Sequence, residues 1–340
     1  MKKFLIPDTG KFYKANLHCH TTLSDGGLTP EQMKEYYMEH GYSILAFTDH
    51  WQFLTHNELS DDTFLALNGI EDAAEELGKL PQYNLCCDIC FIALRHDRTL
   101  HPMQKEGDVK GDGTYSGFKP TYCAYDINRM IQAGVENGFF VTYNHPTWSQ
   151  ESYAQYMSYT GMHAMELFNY GSAVDGYNEY NPEIYDDLLR SGKRLFAIAT
   201  DDNHNLASGK LHADSFGGFT MIKAPSLNYE DVTSALLRGD FYASRGPVIN
   251  GLWIDTEDQS VHIACEGAKK IVCTRGGRRC RAFYAEEEGK DYLEEAKFSI
   301  DPADRYFRIS VFDEKGLSAD TNAYFIDTLG LDFEKNLYKE

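Results

Sequence analysis

Thr29-Pro30-Glu31-Gln32-Met33-Lys34-Glu35-Tyr36-Tyr37-Met38-Glu39-His40-Gly41-Tyr42-Ser43-Ile44-Leu45-Ala46-Phe47-Thr48-Asp49-His50 contains one complete helix-to-strand unit. Thr29 can cap a helix, Pro30 suits its first position, and Gln32 completes a capping box. Gly41 is a stop signal. The run Ile44-Leu45-Ala46-Phe47 then reads as a buried strand that delivers Thr48-Asp49-His50 at its carboxyl end.

The same grammar recurs. A helix from about Tyr122 to Asn137 stops at Gly138, and the strand Phe139–Tyr143 leads to Asn144-His145-Pro146. Asn181-Pro182 opens a helix that Gly192 closes, and the strand Arg194–Ala199 leads to Asp201-Asp202-Asn203-His204. A further helix runs from about Tyr229 to Arg238. Strands alternating with helices of this size imply an α/β fold of parallel units. In such folds the loops after the strands open on one face, where barrel enzymes keep their active sites. Each polar cluster here follows a strand, so residues far apart in the chain are expected on one surface.

After Arg245-Gly246-Pro247 the pattern changes to period-two alternation in Val261–Ala264, Lys270–Cys273, Tyr306–Val311 and Asn322–Ile326. This predicts a small antiparallel β domain over 247–340, behind an α/β domain over 1–246. The stretch from His96 to Pro120 is Gly-rich and aperiodic and reads as a long loop.

Of 340 residues, 42% are hydrophobic and 14% aromatic, enough for real cores. The net charge of −20, with no offsetting basic stretch, argues against polymeric nucleic acid as a partner. A small anionic substrate remains compatible, because bound divalent cations dominate a site's local field. The apolar start of the chain stops at Pro7, too short for a signal-peptide core, and no segment approaches a membrane span. A cytoplasmic location with no membrane partner is the expectation. The eight cysteines form no regular framework and read as reduced thiols, with Cys87-Asp88-Ile89-Cys90 a weak zinc signal by itself.

The chemistry-bearing residues are His18-Cys19-His20, Asp25, Asp49-His50, Glu71, His145 and Asp202-Asn203-His204. His18 and His20, two apart in extended backbone, point to one side and can share an ion. Asp25 sits in the turn Ser24-Asp25-Gly26-Gly27, and Asp202 and His204 repeat the two-apart spacing, with Asp201 as an outer partner. Singly, each has an ordinary reading as turn, cap or core residue. Their convergence on one face is better explained by a shared metal site. Mixed imidazole and carboxylate donors suit Zn, Mn or Fe.

These residues resemble the PHP (polymerase and histidinol phosphatase) metal-dependent phosphoesterases. The resemblance rests on Asn16-Leu17-His18-Cys19-His20 with Ser24-Asp25-Gly26, Phe47-Thr48-Asp49-His50, Gly69-Ile70-Glu71, Asn144-His145-Pro146, Met165-Glu166-Leu167-Phe168-Asn169 and Asp202-Asn203-His204. Asp214–Phe219 and Gly239–Pro247 are similar to the branch with an extra carboxyl-terminal β domain. The resemblance implies a distorted seven-stranded, TIM-like (β/α) barrel holding two or three divalent metals. His18, His20, Glu71 and Asp202 would hold the first; Glu71 would bridge to a second that takes His145; Asp25, His50 and His204 would hold the third. It also implies a metal-bridging hydroxide as nucleophile, with Glu71, His145, Asp202 and His204 at the centre of catalysis. Asp49, Glu166, Asn169 and Asp201 are expected behind the ligands.

The family supplies another histidine to the second metal. By register the matching residue here is Asp88, or else Cys87, and His96 and His101 are further alternatives. Among cationic candidates for substrate binding, Arg98, Lys119, Arg129 and Arg245, the case is best for Arg245. His56, His163, His212 and His262 read as structural or surface residues. The expected function is hydrolysis of a small phosphomonoester or phosphodiester. Hydrolysis of a carboxyl or carbamate ester at the same centre, and a non-catalytic metal- or ligand-binding module, are the alternatives.

Overall fold

The computed structural model describes residues 1–76, 78, 84–104, 118–206 and 214–331. The expected loop between His96 and Pro120 lies partly outside the described residues, as do His212 and the end of the chain after 331. Among the described residues no helix is long and apolar enough to cross a membrane.

The first strand, β1 (Lys2–Phe4), is short, and β2 (Lys11–Asn16) leads towards the histidine pair. Helix α1 (Pro30–Met38) has the expected capping box: Thr29 accepts from the Gln32 N–H, and the Gln32 side chain accepts from the Thr29 N–H at 3.0 Å. Gly41 follows it at φ +78°, a left-handed position where a β-carbon would be strained. Strand β3 (Ile44–Phe47) is buried throughout, as is most of β4 (Leu65–Glu75) and β5 (Cys86–Ala93). There follow α2 (Ala124–Glu136), β6 (Phe139–Tyr143), α3 (Tyr153–Tyr156), β7 (Ala164–Asn169), α4 (Tyr170–Val174), α5 (Pro182–Arg190) and β8 (Phe196–Thr200). Strand β9 (Phe219–Ala224), α6 (Tyr229–Arg238) and β10 (Phe241–Ser244) complete this part.

Strands β2 to β10 form one sheet in the order β10-β9-β2-β3-β4-β5-β6-β7-β8. Neighbours from β2 to β4 and from β6 to β8 are parallel. Strand β5 is antiparallel to both β4 and β6. This departs from uniformly parallel β/α units: the ten positions between β4 and β5 are too few for the long crossover that a parallel pair needs. Nor, among the described residues, does a continuous ladder close the sheet into the expected seven-stranded barrel. The gap is spanned instead by an isolated parallel bridge, Cys19 with Asn203, and by side-chain bonds, among them the Thr220 hydroxyl, which donates to Ala199 O at 3.0 Å and accepts from its N–H at 3.3 Å.

Helix α2 covers the outer face of β5 and β6, where Ile127, Met130 and Ile131 pack with Phe91, Phe139 and Val141 in one buried cluster. Full burial of each such side chain contributes about 1.5–3 kcal/mol. A second cluster fills the space inside the curved sheet with Leu17, Ile44, Ala46, Leu67, Ile92, Phe140 and Ile198. Apolar packing beneath the strand ends fixes where those ends point.

The remaining strands are β11 (Val248–Asp255), β12 (Ser260–Ala268), β13 (Lys270–Arg275), β14 (Arg281–Tyr284), β15 (Leu293–Ser299), β16 (Tyr306–Phe312), β17 (Ser318–Thr321) and β18 (Tyr324–Phe325). Their pairings with one another are antiparallel. A separate sheet, β1-β11-β12-β15, shares a core with the main one, in which Leu252 and Ile263 pack with Ile271, Ile309 and Val311. Leu252 lies opposite Ile263 across β11 and β12. The main sheet continues into this region because β10 pairs with β17 as well as with β9. The run Asn322–Ile326, expected as one strand, is a strand only at β18. The Asn322 side chain instead donates to Gly239 O and Phe241 O, both at 3.0 Å, and accepts from Ala197 N at 2.9 Å. A buried Arg308 guanidinium ties β16 to α5 through paired bonds to Asp186 of 2.9 and 2.8 Å.

Candidate metal centre

Strand β2 ends at Asn16; beyond it Leu17 and Cys19 enter two different apolar clusters, and the His18 and His20 side chains are left to meet each other. The segment after β8 lies alongside, with the Asp202 N–H donating to His18 O at 2.9 Å and the His20 N–H to Asn203 O at 3.1 Å. This pairing brings Asp202 and His204 to the histidine pair. Asp202 and His145 have φ of +51° and +22°, unusual for residues with a β-carbon and costly unless the surroundings impose them.

Four donors meet at the centre. His18 Nε2 and His20 Nε2 are 3.1 Å apart; Glu71 Oε2 lies 3.1 and 3.2 Å from them, and Asp202 Oδ1 3.2 and 3.0 Å. The other oxygen of Glu71, Oε1, is 3.3 Å from His145 Nε2, which is 3.8 Å from Asp88 Oδ2. Glu71 thus belongs to two donor groups, one through each oxygen. A third group, more open to solvent, is formed by Asp25, His50 and His204 with His20: Asp25 Oδ2 is 3.7 Å from His50 Nε2 and 3.5 Å from His204 Nε2, and Asp25 Oδ1 is 3.7 Å from His20 Nδ1.

Donors held about 2.0–2.1 Å from one ion lie roughly 3.0–3.4 Å apart, depending on coordination number. The first group fits that spacing. His20 Nδ1, Asp88 Oδ1 and Asp202 Oδ1 are buried and receive no well-directed hydrogen bond; among the described residues only Tyr42 Oη shares that condition. Such atoms are costly unless something else satisfies them. The donor set therefore fits divalent metal.

Surrounding groups hold the donors in place. His18 Nδ1 is 2.7 Å from Glu166 Oε1, which leaves Nε2 for the centre. Glu166 also accepts from the His145 N–H, Asn169 and Thr200 at 2.9, 2.8 and 2.6 Å, and Asn169 donates onward to Asp202 at 3.1 Å. Asn144 donates to Glu71 Oε1 at 2.8 Å. His145 Nδ1 lies 3.3 Å from Ser149 Oγ. Gly26 packs against the backbone of His20, where an added β-carbon would stand 2.4 Å from His20 O.

The dense carboxylates shape the titration of the site. Burial opposes ionisation of Glu71, but His18, His145 and His20 outweigh it and hold its carboxyl well below the usual range. Burial likewise disfavours the imidazolium forms, yet Asp202 and Glu71 raise His20 to about 9, and Glu71 and Asp202 raise His145 to about 10. Burial pushes Asp88 up to about 7.

Several expectations change. Asp49 touches no donor of the centre; it accepts from Thr21 N at 2.7 Å and Ser24 Oγ at 2.8 Å and so secures the loop that carries Asp25. Asp201 accepts from the N–H groups of Phe216, Gly217 and Gly218 at 2.8, 2.9 and 2.8 Å, and from Tyr37 at 2.8 Å, which anchors the entry to β9 instead of backing a ligand. Alternation along β5 turns Cys87 into the core with Ile89 and Phe91 and leaves Asp88 on the side of His145. His96 packs near Tyr229, and His101 lies 3.5 Å from Asp72. Arg245 does not line the cleft: its guanidinium lies over Tyr180 at 4.1 Å and donates to Gly316 O and Ser318 Oγ.

The cleft over the donors has a volume of about 370 Å³ and is walled by Trp148, Val174 and Leu206 together with Asp175 and Asp214. Sequence reasoning missed Ser149, Trp148, Asp175 and Glu179. Glu179 is buried and accepts from the N–H groups of Thr147 and Trp148 at 3.1 and 2.7 Å, bracing the loop after His145. Asn181, two residues on, also donates to it at 2.7 Å, but nothing near Glu179 in the sequence signals its bonds to the backbone of that distant loop.

No family model matches the chain, and no curated protein matches it. Among solved structures it is similar to a two-domain protein from Bacteroides vulgatus containing a predicted PHP-like metal-dependent phosphoesterase, at 14% identity and a TM-score of 0.44, covering 94% of this chain and 98% of that one. It is also similar to an amidohydrolase from Chromobacterium violaceum with bound sulfate and no metal, at 15% identity and a TM-score of 0.38, covering 56% of this chain and 87% of that one.

Proposed function

We propose that the chain is a metal-dependent hydrolase, a phosphoesterase acting on a small phosphomonoester or phosphodiester. The observation that carries this reading is the sharing of Glu71 between two donor groups, with Oε2 among His18, His20 and Asp202 and Oε1 against His145. His18, His20, Glu71 and Asp202 would hold one divalent ion, Glu71, Asp88 and His145 a second, and His20, Asp25, His50 and His204 a third. Zn, Mn and Fe suit these donors. When bound, such ions activate water near neutral pH and neutralise charge on the reacting group.

The chain's own residues set the geometry. Glu166 keeps the His18 proton on Nδ1, Asn144 fixes Glu71, and Ser149 orients His145. Trp148, Val174 and Leu206 give the cleft wall apolar surface. Every donor precedes residue 247, so we place the hydrolase unit in residues 1–246 and regard 247–340 as an appended β unit.

A second reading, hydrolysis of an uncharged carboxyl or carbamate ester, is favoured by one observation: among the described residues no Lys or Arg lines the cleft. The test is to quantify bound metal and assay phosphomonoester, phosphodiester and carboxyl ester substrates with Mn and Zn. Turnover should be abolished by His18→Ala and Asp202→Ala. Turnover that survives both substitutions, or none with any substrate class, would refute the hydrolase reading.

A further inference from the structure

Beyond the metal donors, the cleft has an uneven lining. Trp148, Val174 and Leu206 supply apolar surface, and the two charged side chains that are not donors, Asp175 and Asp214, are both acidic. Asp214 is engaged in the fold, accepting from the His204 N–H at 2.7 Å and the Asn205 N–H at 3.1 Å. Asp175 is exposed, and no hydrogen bond or ion pair of its side chain is found among the described residues. It caps the carboxyl end of α4, where backbone carbonyls already make the field negative, so a carboxylate there gains nothing from the helix.

We propose that Asp175 is a specificity-determining residue: the cleft selects substrates whose portion beyond the scissile group is cationic or uncharged and rejects those carrying a second anionic group. This rests on the hydrolase reading above. The metals would meet the charge of one scissile phosphate, but no cation in the described lining would meet a second. A flat or apolar group would lie against Trp148 with its charged end towards Asp175.

The test uses three aryl phosphates, phenyl phosphate and its 4-aminomethyl and 4-carboxy derivatives, with the metal-loaded full chain. The matching arylphosphonates, which cannot be hydrolysed, supply a binding measurement by calorimetry. The aminomethyl compound should exceed the carboxy compound at least tenfold in kcat/KM, and the phosphonates should bind in the same order. In Asp175→Asn that ratio should fall at least fivefold, and in Asp175→Lys it should invert, with metal content unchanged. Comparing one substrate pair across variants removes differences in intrinsic leaving-group reactivity. An unchanged ratio in Asp175→Asn, or turnover without charge preference, overturns the proposal while the hydrolase reading stands. Phosphonates that bind in the expected order without any turnover would defeat the hydrolase reading alone. If no phosphonate binds, the proposal fails.

Discussion

His18 Nδ1 lies 2.7 Å from Glu166 Oε1, with both side chains buried. The contact decides which imidazole nitrogen faces Glu71 and Asp202. Glu166→Gln should therefore weaken metal binding about 10–100-fold, the usual cost of losing such an outer partner. Competition against a chelator of known affinity measures this. Unchanged affinity would show that His18 is oriented by packing alone.

Protons and metal compete for the same nitrogens. In the metal-free chain the carboxylates raise His20 to about 9 and His145 to about 10, above the ordinary imidazole value. A histidine whose folded pKa is raised stabilises the fold below its unfolded pKa and loses that contribution as pH rises through the folded value. The melting temperature of the metal-free chain should thus fall between about pH 6.5 and pH 10. Metal uptake at pH 7 should release protons, and apparent affinity should rise with pH. Calorimetry in buffers of different ionisation enthalpy reads the proton release; a value of zero would contradict protonation of these histidines in the metal-free chain.

Glu179 should matter although it touches no donor. Glu179→Ala leaves the Thr147 and Trp148 N–H groups without their buried acceptor, at about 1–3 kcal/mol for each group left unsatisfied. Thermal unfolding should show that loss, and a divalent ion held by Glu71, Asp88 and His145 would be bound more weakly. Full stability and full metal content in the variant would contradict the bracing role.

The Asp186–Arg308 pair joins α5 to β16 in a buried setting. Asp186→Ala should cost up to about 3 kcal/mol, the low end for a broken buried pair, because the guanidinium loses its paired bonds but keeps Asp320 at 3.7 Å and Ser310 Oγ at 3.1 Å. Replacing both residues with apolar ones, Asp186→Leu with Arg308→Met, should cost less. Denaturant unfolding of the single and double variants measures the difference.

Much of the fold was legible where local signals agree with tertiary structure. The Thr29 and Gln32 capping box, β3, β6 and α6 lie where the sequence puts them. The antiparallel course of β5 was not legible, since an apolar run such as Cys86–Ala93 carries no mark of direction. His18, His20, His50, His145, Asp202 and His204 were readable because they follow apolar strands, whereas Glu71 and Asp88, inside β4 and β5, came into view only through the family resemblance. Asp49 and Asp201 misled because proximity in sequence to a donor does not fix which way a side chain turns, and Arg245 because the buried strand before it does not either: its guanidinium turns to Tyr180, Gly316 and Ser318. Glu179 was invisible because it acts on backbone groups.

The most direct test of the central claim is the metal content of the chain, measured by mass spectrometry after loading with Zn or Mn, for the native sequence and for Glu71→Gln. The sharing of Glu71 predicts at least two divalent ions per chain in the native protein and a loss from both the His18–His20 and His145 groups in the variant. Stoichiometric binding that Glu71→Gln leaves intact, or no tightly bound metal in the native chain, would contradict it.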